Sequence, residues 1–181
     1  MTGSSPASST APARAAITLR PLRAADRAPI ERILRACGAF SEPEIAVALE
    51  LVDIGEQSTP DGYHFFVAEI APDRVAGYVC FGHTPCTEGT YDLYWIATDP
   101  ALQGRGVGRT LERAVEEEVR ARRGRMVLIE TASKDSYAAT RAFYDRAGYC
   151  EVARVPDFYA PGDDRVIYAK KLGDPGAVDP G

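Results

Sequence analysis

The spacing of apolar residues changes period several times along the chain, and each change marks an element. Ile17 to Pro21 predicts a short strand, and Ala24 to Cys37 a helix with Ile30, Ile33 and Leu34 inward. Ser41 stands where a second helix needs its N-cap, and Glu44, three residues on, can close a capping box. Phe40 and Ile45 are spaced as a hydrophobic staple, and Ile45, Leu49 and Val52 then share one helical face. From Tyr63 the period shortens. Tyr63–Ile70 and Val75–Gly82 are β-rich runs around Ala71-Pro72-Asp73-Arg74, a turn composition suited to a hairpin. A third run, Thr90 to Thr98, stops at Asp99-Pro100.

Helical spacing returns with Val107, Leu111, Ala114, Val115 and Val119, leaving Glu112, Arg113, Glu116, Glu117 and Arg120 outside and Gly124 as the stop. Met126 to Ile129 is a continuous apolar run of the kind found in strands buried on both faces. Ser136 to Ala147 predicts a further helix ended by Gly148, and Tyr149–Val155 and Arg165–Lys171 two strands joined by a loop, Pro156–Asp164. The order β-α-α-β-β-β-α-β-α-β-β, hairpins first and a strand-helix-strand crossover later, implies an α/β (α+β) fold: a mixed sheet with helices on both faces. No internal repeat is visible.

Composition narrows this to one domain, residues 17–172, within 181 residues. Residues 1–16, mostly Ser, Thr, Ala and Pro, read as a disordered tail without the apolar stretch of a secretion signal, and 173–181 as a flexible C-terminal tail. No apolar run is long enough to span a membrane. A net charge of −5 lacks the basic face that nucleic acid binding requires. The four cysteines form no C-x-x-C and no zinc spacing, and the cytoplasm is the expected compartment.

The chemistry concentrates in Asp99-Pro100-Ala101-Leu102-Gln103-Gly104-Arg105-Gly106-Val107-Gly108-Arg109, between a strand and an amphipathic helix. Alternating glycines let backbone approach a bulky anion, and the helix start beyond them presents unpaired N–H groups. No Lys-Ser/Thr follows, which excludes the Walker pattern, and the spacing is not G-x-G-x-x-G. A glycine-rich helix entry with nothing bound is the alternative.

Gln103-Gly104-Arg105-Gly106-Val107-Gly108 resembles the Q/R-x-x-G-x-G/A signature of the GNAT superfamily, and Tyr94 to Pro100 resembles the strand leading into it. Arg141-Ala142-Phe143-Tyr144-Asp145-Arg146-Ala147-Gly148-Tyr149 resembles the family's second landmark, A-x-x-F-Y-x-x-x-G-F. The resemblance implies a sheet of about seven strands with about four helices and splayed central parallel strands. It also implies acetyl-CoA as cosubstrate: Gln103 to Arg109 would hold the pyrophosphate, and backbone groups of Ile96, Ala97 and Thr98 the pantetheine arm. Tyr144 would protonate the leaving thiolate. An asparagine common in relatives is Ala138 here, so that contact is lost or passes to Ser136 or Thr140.

The resemblance places a general base at Asp92, eleven residues before Gln103. By strand parity Asp92 shares a face with Tyr94 and Ile96. Glu88, a water relay, or a merely hydrogen-bonded Asp92 are the alternatives. The first two helices and the final loop would wall the acceptor pocket, bringing Glu42, Glu44, Glu50 and Asp53 towards Asp157, Phe158, Tyr159, Asp163 and Asp164; a solvated helix face and an acidic turn explain the same residues. His64 and His83 are isolated, so no metal is expected. The leading expectation is an N-acetyltransferase acting on a small-molecule amine. Acetylation of a protein or peptide, and a non-catalytic CoA-binding module, are the other two. A homodimer is compatible with the resemblance.

Overall fold

The computed structural model describes residues 16–55, 62–72 and 74–173. The two tail readings therefore fall, apart from Ala16 and Gly173, outside the described residues. The elements are β1 (Thr18–Arg20), α1 (Arg27–Cys37), α2 (Glu42–Gly55), β2 (His64–Glu69), β3 (Val75–His83), β4 (Thr90–Thr98), α3 (Val107–Ala121), β5 (Met126–Ala132), α4 (Ala138–Ala147), β6 (Cys150–Ala160) and β7 (Asp163–Lys171). They build one seven-stranded sheet in the order β1-β2-β3-β4-β5-β7-β6, antiparallel except for β4 against β5. Residues of α1 and α2 pack in a core with Tyr78, Cys80 and Ala97, while α3 and α4 pack in another with Val79, Phe81 and Leu93. Alternate residues of β3 thus serve opposite faces, as a pleated strand requires. Among the described residues no helix is long and apolar enough to cross a membrane.

Two features of the sheet shape the site. The parallel pairing of β4 with β5 runs only from Thr90↔Met126 to Leu93↔Ile129, after which β4 stays with β3 and β5 with β7. The central strands part there and leave a gap. Beside it, Cys80 pairs with Trp95 and Phe81 with Leu93, so Tyr94 is an extra residue in β4. Such a bulge breaks the period of two. Leu93 and Ile96 both join the α3-side core, whereas Trp95 packs on the α1–α2 side. The expectation that Asp92, Tyr94 and Ile96 share one face therefore fails, because parity does not survive the inserted residue.

The end of the chain differs from the expected loop. Residues 156–164 form the far part of a long β6–β7 hairpin, turning at Pro161-Gly162. β6 is the sheet's outer strand, where the N–H that Pro156 lacks is not needed by a neighbour. Asp157 takes a φ of 52°, its carboxylate accepts the Gly162 N–H at 2.6 Å, and its own N–H donates to Asp164 Oδ1 at 3.0 Å. Loop-forming residues here shape a bulged hairpin tip.

Helix α3 also stops earlier than its glycine. Ala121 is its last residue, and Arg123 takes the left-handed conformation at φ 59°. The Arg123 N–H bonds the Arg120 carbonyl at 2.9 Å and the Gly124 N–H the Val119 carbonyl at 2.7 Å, a Schellman closure. Gly124 is needed there for space: a Cβ would lie 2.4 Å from Val119 Cγ1 and 2.8 Å from Tyr91 Cε2.

Candidate active site

The loop from Asp99 to Gly106 carries β4 into α3. The Asp99 carboxylate accepts the Ala101 N–H at 2.9 Å, holding the short turn Pro100–Leu102, and the Asp99 N–H donates to the Ala76 carbonyl at 2.8 Å. Gly104 at φ +77° and Gly106 at φ +89° occupy left-handed backbone with open space where a Cβ would stand, so conformation and not crowding demands glycine. The Thr110 N–H reaches the Gly106 carbonyl at 2.9 Å, which leaves the N–H groups of Val107, Gly108 and Arg109 as the free first turn of α3. They open onto a cavity of about 450 Å³.

Ile96, Thr98, Gln103, Gly104, Gly106, Val107, Gly108 and Arg109 line this cavity; Ala97 and Arg105 do not. Ala97 is buried on the α1–α2 side, and the Thr98 carbonyl accepts the Cys37 thiol at 3.4 Å. The opposite wall comes from α4, where Thr140, Phe143 and Arg146 face the loop. A Cβ on Gly108 would sit 3.6 Å from Phe143 and 3.7 Å from Thr98 Cγ2, so its absence widens the floor. Free helix N–H groups, positive φ glycines and two arginines fit a phosphate-bearing ligand. Gly106→Ala is expected to cost about 1–2 kcal/mol through backbone strain. Calorimetry should show a correspondingly weaker acetyl-CoA affinity, and melting a lower stability.

Arg109 is held from beneath. Its guanidinium donates to Glu112 Oε2 at 2.7 Å and to the Ala147 carbonyl at 3.3 Å. Helical spacing placed Glu112 and Glu116 outside α3, yet they are 0% and 5% exposed. Lys170 of β7 accounts for the difference: its ammonium lies against Glu116, 2.7 Å from the Ala147 carbonyl and 3.7 Å from Glu112 Oε1. Burial, followed by the hydrogen bond and charge of Glu116, pushes the Glu112 carboxyl up to about 7. Burial acts on Glu116 too, but its bonds from Glu112 and Lys170 hold it below the ordinary carboxylate range. No local sequence signal announces this pair, because β7 meets α3 only in the folded sheet.

A second cavity, of about 780 Å³, opens on the other side of the gap between β4 and β5 and shares Ile96 and Thr140 with the first. Its walls are aromatic: Phe40 meets Trp95 edge-on with centroids 5.3 Å apart, and Tyr63 meets Tyr94 at 5.2 Å. Tyr144 lines it, is 4% exposed, and packs against Phe143, Tyr149 and Tyr168. Burial raises its phenol above the ordinary value, so the hydroxyl stays protonated. Thr140 occupies the junction that the residue at position 138 does not reach, whereas Ser136 lines neither cavity.

Of the expected acceptor-side residues, Glu44, Tyr159 and Asp163 reach this cavity. Glu42 pairs instead with Arg35 at 2.6 Å and Asp53 with Arg27 at 2.7 Å, while Glu50 is exposed. Asp157 and Asp164 brace the hairpin tip, and Phe158 lies under the Arg165 guanidinium at 4.9 Å. Glu44 Oε2 accepts the Ser41 N–H at 2.7 Å and its hydroxyl at 2.6 Å, the backward half of a capping box. Burial disfavours its charge, but these bonds, Lys134 and the Tyr137 hydroxyl outweigh it and hold the carboxyl below its ordinary value. Lys134 and Tyr137, between β5 and α4, were missed because no periodicity marks that junction.

Asp92 accepts the Thr84 hydroxyl at 2.8 Å and lines neither cavity. Tyr94 stands between: burial, then the Asp92 charge, pushes its phenol up to about 12. Glu88 is exposed on the β3–β4 turn and lines neither cavity. His64 lies against Phe81 and His83 against Tyr91; among the described residues no three His, Cys, Asp or Glu side chains gather as a metal site.

Residues 28–149 match the model of the acetyltransferase (GNAT) family. The chain belongs to that family. A putative GNAT acetyltransferase from Desulfovibrio desulfuricans shares the fold at TM-score 0.82 and 42% identity, covering 87% of this chain and all of that one. The N-alpha-acetyltransferase RimI of Mycobacterium tuberculosis is 35% identical over 101 residues, 55% of this chain and 60% of that enzyme's length. The yncA structure of Salmonella typhimurium, a putative acetyltransferase with its cofactor acetyl-CoA, has a TM-score of 0.67 at 22% identity, over 91% of this chain and 99% of that one. The parted central strands and glycine loop of this GNAT chain thus lie in the fold that holds acetyl-CoA in that neighbour.

Proposed function

We propose that this chain is an N-acetyltransferase that moves an acetyl group from acetyl-CoA to a primary amine of a small molecule by direct attack. The observation that carries this reading is the junction at Ile96 and Thr140, where a phosphate-fitting cavity meets an aromatic one and Tyr144 lines the latter. Bound acetyl-CoA supplies the activated acetyl thioester. Gln103 to Arg109, apart from Arg105, fit its pyrophosphate, with Arg146 as a second cation. The Tyr94–Thr98 stretch, unpaired on its β5 side, offers backbone groups to an extended arm, and a fixed N–H near Ile96 polarises the acyl carbonyl. Ala97 contributes backbone alone, since its side chain is buried elsewhere.

As the C–N bond forms and the C–S bond breaks, Tyr144 Oη gives the departing sulfur its proton and is reprotonated through water by the second proton that the nitrogen loses. An alkylammonium loses its proton near pH ~10 in water, so its proton must be drawn off before attack. In this reading the proton passes through water to solvent, with Asp92, behind Tyr94 and off both cavities, acting on it only through that water. The RimI likeness favours a second reading, acetylation of a protein or peptide N-terminus.

The test is acetyl-CoA-dependent thiol release across pooled amines and short peptides, corrected for the protein's own thiols. Release that requires an amine and is lost in Tyr144→Phe supports the enzyme. Release with peptides alone favours the second reading. No release from any pool, with acetyl-CoA bound, would leave a non-catalytic CoA-binding module.

A further inference from the structure

The larger cavity carries a charge pattern that a simple amine does not use. Three carboxylates line it. Glu130 is ion-paired with Arg165, and Asp163 Oδ1 accepts the backbone N–H groups of Ser133 and Lys134 at 3.1 Å each. Glu44 remains ionised and in place beside Tyr137, whose hydroxyl donates to its Oε1 at 3.3 Å. The opposite charge stands over the same ring. Lys134 Nζ lies 5.0 Å from the Tyr137 centroid, half-buried, and forms no ion pair with any described residue. Tyr137 thus presents an anion at its hydroxyl and a cation at its face, near one another but not in an ion pair.

We propose that the amine acetylated here is a free α-amino acid with an apolar or aromatic side chain, its ammonium read by Glu44 and its carboxylate by Lys134 across Tyr137. The inference rests on the acetyl-transfer reading above and names its substrate class. A ligand entering the cavity strips water from Lys134, and a buried ammonium without an anion is costly. A carboxylate on the ligand removes that cost. A simple alkylamine gives Lys134 no direct partner, only the longer-range charge of Glu44, and neither does a peptide, whose first residue ends in an amide. A polyamine or aminoglycoside brings several ammonium groups to a wall where all three carboxylates already hold protein groups and Lys134 adds a positive charge.

The rest of the wall fits an apolar side chain. Helix α2 buries Ile45, Ala48, Leu49 and Val52 in the core, then turns Val47 and Leu51, also apolar, to the cavity. Val47 is 49% exposed and lines the cavity together with Tyr63 and Tyr94. A helix whose second face is apolar beside a separate cation and anion suits a zwitterion with a hydrophobic body.

The experiment compares kcat/KM for L-phenylalanine, L-phenylalaninamide, phenethylamine and a Phe-initiated tripeptide, in the unaltered chain, Lys134→Met and Lys134→Arg. The amino acid should exceed the amide by about 10–100-fold, the usual worth of a charged hydrogen bond. Lys134→Met should bring that ratio close to one, and Lys134→Arg should keep most of it. An amide or tripeptide used as well as the amino acid overturns the proposal, as does a Lys134→Met loss equal for all four. Calorimetry of L-phenylalanine with CoA-saturated protein separates the two readings if no amine is acetylated. Binding that Lys134→Met abolishes keeps the amino-acid site and removes the transfer reaction; no binding removes the site.

Discussion

Tyr144→Phe is expected to lower kcat by about 10²–10³-fold, in the range of general acid catalysis, while acetyl-CoA affinity stays within about twofold. The side chain is nearly sealed on its ring, which packs against Phe143, Tyr149 and Tyr168, and phenylalanine preserves those contacts. Only the hydroxyl changes. Because burial raises its pKa, that hydroxyl is protonated across the working range and ready to donate to a sulfur gaining charge. Single-turnover thiol release, with calorimetry of acetyl-CoA on the same variant, checks both halves. An unchanged kcat would remove the acid role and leave Tyr144 as packing. A parallel loss of acetyl-CoA binding would make it a binding residue instead.

Much of this site is local chemistry, which is why the sequence displays it. The glycine loop, its strand and the helix after it are continuous from Tyr94 to Val119, and their backbone demands are written into the residues themselves. Phe143 and Tyr144 sit in a second continuous motif. What escapes is whatever depends on meeting across the sheet. The bulge at Tyr94 turned Asp92 away from the Ile96 face, because period-two reasoning presumes that no residue is inserted. Ala97 and Arg105 lie inside the recognised motif but outside the cavity, since a strand and a turn each point some residues elsewhere. Pro156 to Asp164 carried every loop signal, yet an outer strand tolerates proline and a bulge. Glu112 and Glu116 followed the polar face of α3 until Lys170, from a strand fifty-odd residues later, came to lie over them.

That last pair has a consequence for stability. A carboxyl whose folded pKa is raised binds a proton in the native state at pH values where the unfolded chain has released it. Between about 4.5 and about 7 the native state therefore holds more protons than the unfolded one, and stability falls as pH rises. The loss is complete above about 7. Each unit of difference is worth about 1.36 kcal/mol, and the opposite shift of Glu116 offsets part of the effect. Arg109 and Lys170 oppose the shift through their positive charge, and Glu116, lowered by Lys170 and by Glu112 itself, contributes in the other direction. Arg120 bonds Glu116 at 3.1 Å, and the buried Tyr149 hydroxyl faces the same carboxylates. Glu112→Gln keeps an oxygen to accept from Arg109 and cannot ionise, so it removes the raised titration and leaves the anchor. The expected result is a melting temperature near that of the unaltered chain at pH 5 and a few degrees above it at pH 8, at about 2–4 °C for each kcal/mol in a domain of this size. Equal differences at both pH values would mean that Glu112 stays ionised throughout, held by Arg109 and Lys170, and that the proton under the glycine loop belongs to another group.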